Sequence, residues 1–299
     1  FLNLPVFKSL SAKYIGKTPI IVYYHENQVS YPWSPEDKDI SLNRDFHYYF
    51  INQTTSLSSS WNYFNSQYHL DSYIDGLSKY LSTMPDYKNL ETLDAIKLKS
   101  SVLHLGLDFD KFENNKIKKN NHKPIILWNH RWEYDKNPEL FFKALIEIKN
   151  RDIDFELLLL GERFSDFPHI FNEGIRLLKD NIITSEYSSF EDYKKWLWMA
   201  DILPVTSNQD FFGISVMEAI YCKTYPILPN RLSYKELYDN NKNKENFYND
   251  DQELVKKIIQ AINSYKNLPD ISKETNRFNW KEIIGFYDAE FEKKILEKN

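Results

Sequence analysis

The chain holds one cysteine, seven glycines and three methionines in 299 residues, and each scarcity removes a class of explanation. A lone thiol, Cys222, cannot build an internal disulfide framework and suits a reducing, cytoplasmic compartment. A single cysteine is more often a small buried apolar residue than a nucleophile. With so few glycines there is no Walker-type or dinucleotide glycine loop, so any phosphate must be held by side chains and a helix start. No apolar run reaches the roughly 20 residues of a membrane span, and no signal-peptide pattern opens the chain. It begins at Phe1 rather than methionine, so an N-terminal piece is expected to be missing. A net charge of -5 argues against a generic nucleic-acid binder, which is usually basic, but leaves room for a local basic face. The seven histidines lack the close spacing of zinc ligands, and no DxD-like pair falls in a promising loop, so no metal is expected. Asp108 and Asp110 read as solvent residues.

What is present can build real cores: 42% of residues are hydrophobic and 16% aromatic. In the first part, strands are predicted at 19–24, 61–64 and 101–105, with helices over 44–60 and 65–81 and an ambiguous stretch at 82–98. The polar, Asn/Lys-rich run 111–123 reads as an interdomain linker. Beyond it the alternation is clean. Strands are predicted at 124–128, 155–160, 182–183, 202–205 and 225–228, with helices at 138–150, 170–178, 190–200, from Gly213, at 234–238, 253–265 and 280–294. Apolar runs such as Phe155 to Leu160 imply strands buried on both faces, hence a parallel sheet with helical crossovers. The expected domains are 1–111, a linker at 112–122, a second domain at 123–270, and a helical segment 271–299 returning toward the first domain.

Ligands of open parallel sheets bind where loops leave the carboxyl ends of strands. Loops 129–136, 161–164 and 207–213 would converge there. The first offers Arg131 and Lys136, a forked and a point cation for phosphate, with a surface ion pair to Glu133 or Asp135 as the plainer reading. The third runs into a helix start at Phe212, Gly213 and Ile214, whose unpaired amides favour an anion. Asp210 and Glu218 flank that start. Carboxylates suit sugar hydroxyls rather than phosphate, and together the two features point to a nucleotide-sugar pocket. The plainer readings are a helix cap for Asp210 and an exposed carboxylate for Glu218. His25-Glu26-Asn27-Gln28 closes the first strand, placed for chemistry or simply solvated.

The second part resembles the nucleotide-binding domain of family 4 retaining glycosyltransferases, in Arg131, Lys136, Phe212-Gly213 and the acids eight apart, Asp210 and Glu218. HENQVSYP from His25, RDF from Arg44, FNS from Phe64, LWNHRWEYDKNPE from Leu127 and FFGISVMEAIYCKTYP from Phe211 narrow this to a resemblance to the tRNA-queuosine α-mannosyltransferase family. It implies a GT-B α/β architecture of two Rossmann-like parallel-sheet domains facing a cleft. It also implies a GDP-mannose donor, retention at the anomeric carbon, no metal or other cofactor, no membrane, and queuosine of a tRNA as acceptor.

Carried over by residue, the resemblance places Arg131, Lys136, Glu162, Phe211, Phe212, Gly213 and Ile214 on the donor, with Asp210 at the mannose and Glu218 at the ribose. His25 would join Asp210 and Glu218 at the reacting centre, with Glu26, Asn27, Gln28, Arg44 and Asp45 on the acceptor side. Two departures stand out. Asp210 replaces the family's usual glutamate and is one methylene shorter. The relatives' opening strand and helix, with a glycine-containing loop, have no counterpart here, so the first domain is expected to be incomplete. Two other readings stay open: the same chemistry on a glycan or lipid, and a non-catalytic nucleotide-sugar or tRNA-binding module.

Overall fold

Short β-branched and aromatic runs, each followed by an amphipathic segment, fold as parallel strands with helical crossovers. The computed structural model describes residues 2–34, 46–163 and 167–296. It divides into two compact units, Phe1–Leu105 and Gly106–Asn299.

In the first unit, α1 (Leu4–Ile15) leads to β1 (Ile21–Tyr24), α2 (Phe46–Ser58), β2 (Trp61–Phe64), α3 (Gln67–Ser82), α4 (Glu91–Leu98) and β3 (Ser100–Val102). The three strands pair in parallel in the order β1-β2-β3, with Tyr24 opposite Phe64 and Phe64 opposite Val102. Tyr24, Phe64 and Tyr73 interlock with Leu77 and Ile96 as the core. Ser66 caps α3 by accepting the His69 amide at 3.0 Å. The ambiguous stretch contains α4, and α1 was not predicted at all.

The second unit runs α5 (Asp110–Glu113), β4 (Ile125–Trp128), α6 (Pro138–Lys149), β5 (Glu156–Leu159), α7 (Ile170–Leu177), β6 (Ile182–Thr184), α8 (Phe190–Met199), β7 (Ile202–Pro204), α9 (Ile214–Tyr221), β8 (Tyr225–Pro229), α10 (Tyr234–Leu237), β9 (Phe247–Tyr248), α11 (Asp251–Asn263) and α12 (Trp280–Leu296). All neighbouring strands are parallel, in the order β6-β5-β4-β7-β8-β9. Helices α6 and α11 seal one face: Phe141, Leu145, Ile148, Leu254 and Ile258 pack on Ile126, Leu157 and Ile202. Each such side chain contributes about 1.5–3 kcal/mol of burial. Helix α11 starts two residues before its predicted 253 because Asp250 caps it, accepting the Glu253 amide at 2.8 Å.

The stretch 111–123 lies within the second unit and is fastened to it. Lys119 Nζ donates to the Ala200 and Lys223 carbonyls, and Asn121 Nδ2 to Met199 O at 2.9 Å and Asp201 Oδ2 at 2.7 Å. Residues 271–296 also belong to this unit. Leu107 N donates to Phe278 O at 2.7 Å, and Trp280 N to Leu107 O at 2.8 Å. Gly106 lies so close under Trp280 and Ile283 that a Cβ there would strike both. Among the described residues no helix is long and apolar enough to cross a membrane.

Candidate active site

From β4 the chain moves outward through β5 and β6, then returns to the other side of β4 with β7. The crossovers that the loops after β4 and β7 begin thus run in opposite directions, the switch-point arrangement at which open parallel sheets bind ligands, at the carboxyl ends of two adjacent strands. The two loops are tied together there. Asn208 N donates to Asp135 O at 2.8 Å, and Thr206 Oγ1 to Lys136 O at 2.8 Å. Arg231, after β8, braces the second loop by donating to Thr206 O and Ser207 O at 3.2 and 3.0 Å.

A buried charge cluster sits at this junction. Lys136 Nζ, 8% exposed as a residue, donates to Gln209 O at 2.8 Å and meets Asp135 Oδ2 at 3.0 Å and Asp210 Oδ1 at 3.2 Å. An ammonium has three protons, and these acceptors match them. Burial pulls the Lys136 pKa down, but Asp210 and Asp135 outweigh it and hold it above the ordinary value. Burial likewise pushes Asp210 up, yet Lys136 and the Tyr234 hydroxyl bonded to Oδ2 leave it below the usual carboxylate range. Asp210 is thus no helix cap. The residue before α9 is Gly213, at φ +76, and no side chain caps the helix.

Gly213 needs that left-handed backbone, and an added Cβ would also press Tyr234 at 3.1 Å. Phe211 and Phe212 are buried, Phe212 edge-on to Phe278 at 5.4 Å, while Ile214 is exposed in the first turn of α9. Glu218, on the same helix, is not the exposed carboxylate of the plainer reading, since its side chain is 12% exposed. Tyr193 Oη donates to its Oε2 at 2.9 Å and Lys111 Nζ lies 3.7 Å from Oε1. Burial raises its pKa against both partners.

Arg131 is exposed and pairs with Glu133 at 3.1 Å, so the surface ion pair expected as an alternative is present. Glu162 is also exposed; its carbonyl accepts the Trp132 amide at 3.0 Å. In the first unit, His25 and Glu26 are exposed, and Gln28 Nε2 donates to Glu26 Oε1 at 3.3 Å. Asn27 is buried, its Oδ1 accepting the Ser30 amide at 2.9 Å and the Ser30 hydroxyl at 3.1 Å. A cavity of about 350 Å³ opens beside this loop, lined by Tyr23, Tyr24, His25, Glu26, Gln28 and Asn52 among others. Arg44 and Asp45 lie outside the described residues.

The structure thus joins Lys136, Asp210, Phe212, Gly213 and Glu218 in one region of the second unit, with Arg131 on the same β4 loop. It adds residues that sequence reasoning missed. Asp135, which the sequence offered only as a surface ion-pair partner, is instead a buried second carboxylate on Lys136. Tyr193 and Tyr234 hold the two acids. His130 is buried with Nδ1 3.1 Å from Ser215 Oγ, and burial pushes its pKa down to about 4. Its place beside Arg131 was a signal; the tyrosines carried none. No group of three or more His, Cys, Asp or Glu that could hold a metal ion comes together among the described residues.

A six-stranded sheet in this order, with cations and a helix start at its switch point and a second parallel-sheet unit before it, defines a GT-B glycosyltransferase. Residues 109–278 match the family model described as glycosyl transferases group 1. Sucrose-phosphate synthase from Thermosynechococcus elongatus superposes with a TM-score of 0.70 at 16% identity, over 93% of this chain and 68% of that one. Anabaena HepE in complex with UDP gives 0.64 at 14% identity, over 99% and 77%. At such identities the likeness speaks to fold.

Residues 1–107 match the model for the N-terminal region of tRNA-queuosine alpha-mannosyltransferase. A Drosophila melanogaster protein of that name is 30% identical over 296 residues, spanning 93% of this chain and 75% of the relative. The chain belongs to the tRNA-queuosine alpha-mannosyltransferase family, and is a glycosyltransferase.

Proposed function

We propose that the chain transfers mannose from GDP-mannose to the cyclopentenediol of queuosine in tRNA, in the cytoplasm, with retention at the anomeric carbon and without a metal ion. The family and the Drosophila relative's name support the acceptor and the sugar. The observation that carries the chemistry is the meeting of Lys136 and Asp210 with the start of α9, at the carboxyl ends of neighbouring strands β4 and β7.

Bond cleavage leaves positive charge on the sugar and negative charge on the nucleotide diphosphate. Arg131, Lys136 and the amides of Phe212 to Ile214 receive that negative charge; Lys136 exchanges one of its present acceptors for a phosphate oxygen. Preorganised donors of this kind are each worth on the order of 3 kcal/mol of barrier. Asp210 takes mannose hydroxyls and Glu218 the ribose, while Phe211 and Glu162 complete the donor side. His25 works near the anomeric carbon, and Glu26, Asn27 and Gln28 serve the acceptor.

A thermal-shift screen of nucleotide sugars tests the donor. At a hundred times Kd, a ligand adds about 2.7 kcal/mol to stability, and GDP-mannose should give the largest shift. Arg131→Ala should abolish it; a variant that binds GDP as tightly as the parent chain contradicts the diphosphate assignment. The net charge of -5 favours a second reading, the same transfer to a glycan or lipid. Transfer to such an acceptor, with queuosine tRNA left untouched, would establish it.

A further inference from the structure

Glu218 stands on α9, but its carboxylate is held by other elements. Oε2 accepts the Tyr193 hydroxyl from α8. Tyr193 Oη lies 3.4 Å from Asn129 Nδ2, which also donates to Ser215 O at 2.7 Å. One chain of polar contacts therefore runs from the loop after β4, through α8, to the acid on α9. The other oxygen, Oε1, faces Lys111 Nζ at 3.7 Å, an ion pair beyond hydrogen-bond range. Its lone pairs remain available to hydroxyl donors. A glutamate tethered at one oxygen presents the other in a set direction, whereas a free one loses rotamer entropy on binding.

We infer that Tyr193 is a positioning residue: it aims Glu218 at the ribose hydroxyls and so sets the preference for ribonucleotides over deoxyribonucleotides. The inference rests on the assignment of Glu218 to the ribose. It names a specificity determinant that lies on a different helix from the acid it serves.

Calorimetric titration of the full chain with GDP and with 2′,3′-dideoxy-GDP tests it. The parent should prefer GDP by about tenfold or more, the range for hydrogen bonds to a charged acceptor. Tyr193→Phe keeps the ring and removes the hydroxyl. It should weaken GDP by roughly tenfold and leave dideoxy-GDP unchanged, so that the ratio falls toward one. Glu218→Gln should lower the ratio too, and the double variant should lower it no further than Glu218→Gln alone, because Tyr193 acts through that acid. Equal weakening of both nucleotides in Tyr193→Phe, an unchanged ratio, or additive losses in the double variant would overturn the inference and leave the donor reading standing. A parent chain that binds neither nucleotide overturns both.

Discussion

The loop after β1 and the loop after β4 hold the same place in their sheets, at the carboxyl end of a parallel strand, and are built on opposite terms. The side chains of His25 and Glu26 stand in solvent, with Gln28 Nε2 donating to Glu26 Oε1 and Asn65 Nδ2 holding the His25 carbonyl. Asp135 and Lys136 are buried and locked to Asp210 on a second loop. Charges removed from water must satisfy one another, so the second loop cannot change its chemistry without changing its fold. The first can. Where function sits in exposed groups, activity and stability separate; where it sits in a buried ion cluster, they are lost together.

The comparison breaks most visibly at Lys136. Lys136→Met leaves the buried Asp135 and the half-buried Asp210 without a counter-charge and should cost about 3–5 kcal/mol of stability. Denaturant unfolding would read this, and Asp210→Asn added to it should recover part of the loss. A change below about 1 kcal/mol would mean that the cluster is not a structural unit.

Acid should act next. Burial holds His130 neutral in the folded chain down to about pH 4, while unfolded histidine protonates near 6.5. Between those values the unfolded state binds the extra proton, so stability falls as pH drops, by about 3 kcal/mol across the window. His69, lowered to about 3 by burial, adds the same trend in the first unit. The Lys136–Asp210 pair behaves differently. Asp210, depressed, contributes above its unfolded pKa and loses that as pH falls through the folded one; Lys136, raised, contributes below its unfolded pKa and loses that as pH rises through the folded one. Their contribution is therefore level through neutrality. Carbon-detected imidazole titration should show no protonation of His130 above pH 5.

Gly161→Ala should come third. Gly161 sits at φ +108, and a Cβ there would overlap the His130 carbonyl, which also accepts the Trp128 indole at 2.9 Å. A loss of about 2 kcal/mol is expected in the melting transition, with weaker nucleotide binding because Arg131 is next in the chain. The smallest effect on stability belongs to the first unit. His25→Ala should shift unfolding by less than about 0.5 kcal/mol, as exposed substitutions do, yet lower turnover by about a hundredfold or more.

How much of this the sequence revealed depended on whether a signal was local. The apolar runs of β4, β5 and β7, each closed by a polar loop, announced the parallel sheet and the edge where its loops gather. Ser66 and Pro138 marked helix starts that the structure keeps. Helix α1 went unread because its apolar residues do not form a buried stripe: Val6, Leu10 and Tyr14 are all exposed. The site followed the same rule. Arg131, Lys136, Gly213 and Glu218 lie in short motifs. Tyr193 lies 25 residues from Glu218, and Tyr234 lies 24 from Asp210, so their roles arise only when the chain closes on itself. Nor does spacing reveal that the Lys136–Asp135 pair would be buried and shared with Asp210 from a distant loop.

The central claim, transfer of a hexose to queuosine tRNA, is tested most directly by mass spectrometry of nucleosides. Queuosine-bearing tRNA incubated with the full chain and GDP-mannose should yield a nucleoside heavier by one hexose, at the expense of queuosine, and Arg131→Ala should yield none. Queuosine that stays unmodified at full recovery, while the chain consumes GDP-mannose on another acceptor, would contradict it.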